Sequence, residues 1–235
     1  MKNWFFIFLY LIVSLIGCGD GKEIERLTLL EKQLKRESQS LRNSLREVQS
    51  QMIFAQKLTQ RMNFLVSELQ GIHARIETNL GDIELKFYQD HAPIHCFNFI
   101  LRAESGFYEN TLFHRVIPGF MIQGGDPNSK DLNPYNNGQG SPICSIPHEF
   151  NDMPHKRGVL SMARTSDKSI GAGSQFFILH KNSPQLDREY TAFGEVIKGM
   201  SVVDKIATAE THKNDPRSIN YPVKPVVIQK IKVYK

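Results

Sequence analysis

The arginine at position 115 lies where packing alone would not put it. In the stretch Phe113-His114-Arg115-Val116-Ile117-Pro118-Gly119-Phe120-Met121-Ile122-Gln123-Gly124-Gly125-Asp126 a guanidinium is embedded among apolar residues, and Pro-Gly and Gly-Gly punctuate the run. Turn chemistry predicts a hairpin, with Leu112 to Ile117 as one strand, Pro118-Gly119 as the turn and Phe120 to Gln123 as the next strand. A permanent charge is costly to bury unpaired, so Arg115 should open onto a pocket or meet a partner. Period-two alternation sets Met121 and Gln123 on one face. An apolar floor with one fixed cation and one amide suits a neutral, partly polar ligand such as a peptide.

Other reactive side chains make weaker cases. His91 and His95 stand four apart on a predicted helix, but with no third ligand in view they read as a solvated face rather than a metal pair. His114 reads as structural. Gly138-Gln139-Gly140 and Gly171-Ala172-Gly173 neither follow a strand nor open a helix, which argues against phosphate binding. Cys18, Cys96 and Cys144 form no C-x-x-C pair, so no zinc or dithiol site is indicated, and the last two read as free thiols. The net charge of +5 comes from 29 basic and 24 acidic residues scattered along the chain, with no basic block interleaved with aromatics. Nucleic acid is therefore not an expected partner.

The elements that must position Arg115 follow from hydrophobic period and turn residues. Ala74 to Thr78 and Ile83 to Tyr88 alternate around Asn79-Leu80-Gly81-Asp82 and predict a first hairpin. Pro93 opens an amphipathic helix, Ile94 to Ser105, which Gly106 ends, and a second helix is expected over Ser201 to Ala207. Asn128 to Ser141, rich in Asn, Gly, Pro and Ser, should be an exposed loop. Many strands and few helices suggest a closed β-barrel with helices over its ends.

The first 70 residues have a different character. Met1-Lys2-Asn3 gives a short positive start, Trp4 to Ile16 an apolar run too short to span a bilayer, and Leu15-Ile16-Gly17-Cys18 resembles a bacterial lipobox. Residues 1–17 are then a signal, Cys18 is lipidated, 18–21 form a short linker, and the rest is held outside the cytoplasm on a bacterial membrane. From Lys22 to Gln70 there is no Gly or Pro, and Leu27, Leu34, Leu41, Val48, Ala55, Met62 and Leu69 recur every seven residues. This predicts a helical coiled-coil stalk about 70 Å long at ~1.5 Å per residue. Its apolar stripe favours self-association as a parallel dimer or trimer.

Four blocks in order carry a family resemblance. Phe113 to Asp126 resembles the signature of the cyclophilin-type peptidyl-prolyl cis-trans isomerases. Leu160-Ser161-Met162-Ala163, Gly173-Ser174-Gln175-Phe176-Phe177-Ile178, and Leu186-Asp187 with Tyr190 and Phe193-Gly194 are similar to further blocks of that family. The resemblance spans roughly 72–235. It implies a mainly β fold, a closed eight-stranded barrel capped by two helices, and X-Pro isomerisation with no metal or cofactor.

Residue by residue, the resemblance makes Arg115 the catalytic arginine. Phe120, Met121, Phe177 and Leu186 then form the proline pocket, and Gln123, Ala163 and Gln175 the contacts to the substrate backbone, with the Tyr190 ring closing the pocket. Gln185 replaces a tryptophan that helps many members bind cyclosporin, and Arg164 and Ala172 stand where many have Asn. The implied partners are proline-containing polypeptides. The same residues could hold a proline segment without turnover, or the barrel could ride on a scaffolding stalk, and the sequence leaves the first of these alternatives open.

Overall fold

The computed structural model describes residues 21–131, 133–141, 145–213, 215 and 218–235. The signal segment, Cys18 and Cys144 lie outside the described residues. The chain divides after Gln60 into two compact units.

A 49-residue helix, α1 (Gly21–Leu69), opens the described chain. Up to Gln60 its apolar residues are wet: Leu27, Leu34, Leu41 and Val48 are each more than half exposed. Its last turns belong to the second unit, where Leu69 is buried and Leu65 packs on the core. Among the described residues, no helix is long and apolar enough to cross a membrane.

The second unit is built on one antiparallel sheet. Its strands are β1 (His73–Thr78), β2 (Gly81–Phe87), β3 (Thr111–Leu112), β4 (Arg115–Ile117), β5 (Met121–Gly124), β6 (Val159–Arg164), β7 (Ala172–Leu179), β8 (Ala192–Lys198) and β9 (Val227–Tyr234). They lie in the order β3-β9-β1-β2-β8-β6-β7-β5-β4. This corrects the expected closed, eight-stranded barrel: the described sheet has nine strands, and its ladder is open between β3 and β4.

The predicted strand Leu112 to Ile117 is likewise two strands, and the physical reason is shared. Leu112 pairs with Val227 at one edge of the sheet, whereas Arg115 pairs with Gln123 at the other. Phe113 and His114 carry the chain between the two edges, joining them by covalent bonds rather than a ladder. Both side chains are buried in that passage. Residues before and after the link thus face different partners, which one continuous strand could not do.

Two helices cover the sheet. In α2 (Pro93–Glu104) Cys96, Phe99, Ile100 and Ala103 form a buried face at helical spacing, and in α3 (Met200–Ala207) Val202, Val203, Ile206 and Ala207 do the same. Phe99 sits at the aromatic centre of the core, 5.2 Å from Phe176 and 5.6 Å from Phe193 between ring centroids. Ala92, which precedes α2, supplies no side-chain cap. Glu149 caps the helix from a distant loop instead, accepting from Ile94 N at 3.1 Å and His95 N at 2.8 Å.

That cap overturns the solvated-face expectation for His95. His91 is exposed, but His95 is fully buried with Nδ1 2.7 Å from Glu149 Oε2. Among the described residues no His/Cys/Asp/Glu group of metal-binding size occurs. Cys96 is a free, buried thiol that donates to Phe193 O.

Candidate active site

The catalytic-looking hairpin is built as a tight turn between two short strands. Ile117 O accepts from Phe120 N at 3.0 Å, with Pro118 and then Gly119, at φ +76°, in the middle. Proline presets the first central position and glycine alone takes the second without strain, as a type II turn requires. Arg115 and Gln123 face each other across the β4–β5 ladder. Gln123 in turn pairs with Phe177 of β7.

These strands bring the expected residues to one place except Gln175, which lines a neighbouring cavity. Arg115, Phe120, Met121, Gln123, Ala163, Phe177, Leu186 and Tyr190 line a single cavity of about 210 Å³, and Arg164 completes its wall. Met121, Phe177 and Leu186 are buried and form an apolar cluster separate from the main core, with Phe120, Ala163 and Tyr190 packed against it. Tyr190 meets the Phe177 ring edge-on at 5.6 Å between centroids. A floor of this kind can take a proline ring, which offers only apolar surface.

The loop bearing Leu186 is fixed from below. His155, buried beneath it, donates its backbone N to Asp187 Oδ1 at 2.7 Å and accepts from Ser183 N at 2.8 Å through its carbonyl. Its ring lies nearly parallel to Phe177. Burial pushes the His155 imidazole below the usual histidine range, while Asp187 acts in the opposite sense.

At the polar wall, three side chains form a directed chain of hydrogen bonds. Gln175 Nε2 donates to Gly140 O at 2.7 Å, Gln123 Nε2 donates to Gln175 Oε1 at 2.9 Å, and Arg115 NH1 donates to Gln123 Oε1 at 3.2 Å. A carbonyl can only accept, so Gly140 fixes which way each amide points. Burial lowers the Arg115 pKa and the Tyr190 phenol opposes that effect, but a guanidinium stays charged throughout the physiological range. Arg115 lines the same cavity as that apolar cluster, and its guanidinium has further N–H groups able to donate there.

Sequence reasoning missed three contributors. Arg164, noted only as a departure from the family's usual residue, stacks on Tyr190 with its guanidinium carbon 4.5 Å from the ring centroid and donates to Glu189 O. Gly140, from the loop predicted to be merely exposed, is buried and anchors the amide chain. That loop is pinned by buried Asp126, which accepts from Asn128 N and Gly138 N. His180 binds the Pro118-Gly119 turn. A second cavity of about 200 Å³ adjoins the first and shares Gln123, Ala163 and Arg164 with it.

An apolar cavity with a fixed cation in its lining, on an antiparallel sheet covered by helices, defines a peptide-binding β protein. The profile described as "Cyclophilin type peptidyl-prolyl cis-trans isomerase/CLD" matches residues 73–233, and the chain belongs to that family. It is 42% identical over 172 residues to "Peptidyl-prolyl cis-trans isomerase A" of Dickeya dadantii, an alignment covering 69% of this chain and 85% of the relative. It is 45% identical over 122 residues to a peptidyl-prolyl cis-trans isomerase of Synechococcus elongatus, covering 52% and 78%. Among solved structures, a Cryptosporidium parvum cyclophilin-type isomerase, solved in the presence of the dipeptide Ala-Pro, matches with a TM-score of 0.62 and 34% identity. That match covers 69% of this chain and 99% of the other. The chain is a cyclophilin-type peptidyl-prolyl cis-trans isomerase.

Proposed function

We propose that the cavity around Phe177 is the isomerase site and that Arg115 is its catalytic residue. A prolyl peptide bond resists rotation by ~18–20 kcal/mol because the nitrogen lone pair is conjugated with the carbonyl. Phe120, Met121, Phe177 and Leu186 grip the ring. Gln123 and Ala163 hold the substrate backbone, Gln175 orients Gln123, and Tyr190 closes the pocket. Arg115 donates to the prolyl nitrogen as the bond twists, drawing its lone pair out of conjugation. The donation strengthens as the nitrogen becomes pyramidal, so it stabilises the twisted state more than either planar isomer.

The observation that carries this reading is that Arg115, already held by Gln123, lines the same cavity as Phe120, Met121, Phe177 and Leu186. Arg115→Ala is expected to lower kcat/KM on Ala-Pro peptides, measured by NMR exchange, by about a hundredfold or more, in line with loss of one oxyanion-type donor. Full activity in a folded variant would sink the assignment.

The proposed clients are proline-containing segments of proteins outside the cytoplasm. Supporting this are the short positive start, the apolar run and the lipobox-like Leu15 to Cys18, which would leave the mature chain lipid-anchored through Cys18 on a bacterial membrane. The exposed heptad stripe of α1 supports a further part of the reading, self-association of residues 22–70 into a parallel dimer or trimer that presents several isomerase sites together.

A further inference from the structure

The Pro118-Gly119 turn projects away from the rest of the protein. Both residues are exposed, and a Cβ built on Gly119 would meet nothing within 4 Å. In such a turn the N–H of the second central residue has no ladder partner. Here it has found one: Gly119 N donates to His180 Nδ1 at 2.9 Å.

His180 follows the end of β7 and is tied in on three further sides. Its backbone N donates to Phe120 O at 2.9 Å, and Lys181 N reaches the same carbonyl at 3.3 Å. Its Nε2 lies 3.1 Å from Asp204 Oδ1 on α3. Arg157, from the loop before β6, pairs with the same carboxylate at 2.8 Å and donates to His180 O at 2.8 Å. The charged groups facing the ring are therefore Asp204 and Arg157.

This arrangement fixes the tautomer. An Nδ1 that accepts from Gly119 carries no proton, so in the neutral ring the proton is on Nε2, beside Asp204. We propose that His180 is a positioning residue for isomerisation: as the Nε2–H tautomer it latches the Pro118-Gly119 turn and so sets Phe120 as the wall of the proline pocket. The inference rests on the pocket assignment made above. Phe120 is the next residue after the latched glycine, so a turn released at Gly119 leaves this wall held by its backbone N to Ile117 O and by its carbonyl, without the side-chain tether.

The test compares His180→Leu and His180→Asn in the otherwise intact protein, with kcat and KM on an Ala-Pro peptide measured by NMR exchange at neutral pH. The Leu variant removes the acceptor. It should lower kcat/KM about threefold to tenfold, mostly through KM, as expected for loss of one net hydrogen bond. The Asn variant offers Oδ1 close to where Nδ1 stood, so it should restore kcat/KM. A folded Leu variant with wild-type kcat/KM, or equal losses in Leu and Asn, overturns the proposal. Should the Leu variant not fold, a folded Asn variant with kcat/KM well below wild type overturns it alone. Arg115→Ala run in parallel separates the two claims: if it stays active the pocket assignment fails, whereas an inactive Arg115→Ala beside an unaffected Leu variant refutes only the latch.

Discussion

The directed amide chain makes a quantitative prediction. Gln175→Leu removes two hydrogen bonds, 2.7 Å to Gly140 O and 2.9 Å from Gln123 Nε2. At about 1 kcal/mol net for each, folding stability should fall by about 2 kcal/mol. For the reaction only the second bond matters, because it holds Gln123 in the orientation that presents Oε1 to Arg115. One net bond corresponds to about a fivefold loss in kcat/KM, with RT near 0.6 kcal/mol. Gln175 could instead matter by touching substrate directly, and a double-mutant cycle separates the two. With Gln123→Leu already present, an effect relayed through Gln123 disappears, whereas a direct contact still costs about fivefold. NMR exchange on an Ala-Pro peptide supplies kcat/KM, and urea unfolding supplies the stability. Additive losses in the cycle, or no loss from Gln175→Leu, would refute the relay.

Acid should destabilise the fold. Burial depresses the pKa of His114, His148 and His155, so as pH drops below about 6.5, the ordinary histidine value, the unfolded chain takes up protons that the folded one refuses. Urea midpoints should fall between pH 7.5 and 5.5, and a rise would contradict the burial argument. The exposed stripe of α1 should drive association, so sedimentation should find the protein as dimers or trimers, and Leu41→Asp should yield monomers with unchanged turnover of a short Ala-Pro peptide. Monomers in the unmodified protein at micromolar concentration would end the self-association reading.

The hairpin that pairs Arg115 with Gln123 was legible because it is local. An arginine among apolar residues, a Pro-Gly turn three residues further on and an amide at the matching register all fall within Arg115 to Gln123, where hairpin geometry follows from sequence spacing. The helices were legible for the same reason. Pro93 and Gly106 bracket α2, and α1 runs without a breaker from Gly21 to Leu69.

Other features needed the folded chain. Spacing put His95 on the same face as His91, yet His95 is buried because Glu149, 54 residues away, comes in to cap the helix and meet its ring. The strand expected from Leu112 to Ile117 breaks at Phe113-His114 because its two halves pair with opposite edges of one curled sheet. Gly140, Arg164 and His180 serve the site through contacts whose partners lie 35, 25 and 61 residues away. By itself, then, the sequence determined the reactive hairpin, the helices and the family blocks, since local period and turn chemistry act over a few residues. Tertiary structure alone decided how the two edges of the sheet are linked, what fixes the direction of the amides and what holds the Phe120 turn. Those depend on donors and acceptors that meet only when distant segments pack, and a single buried or unpartnered polar group is satisfied by whichever segment arrives.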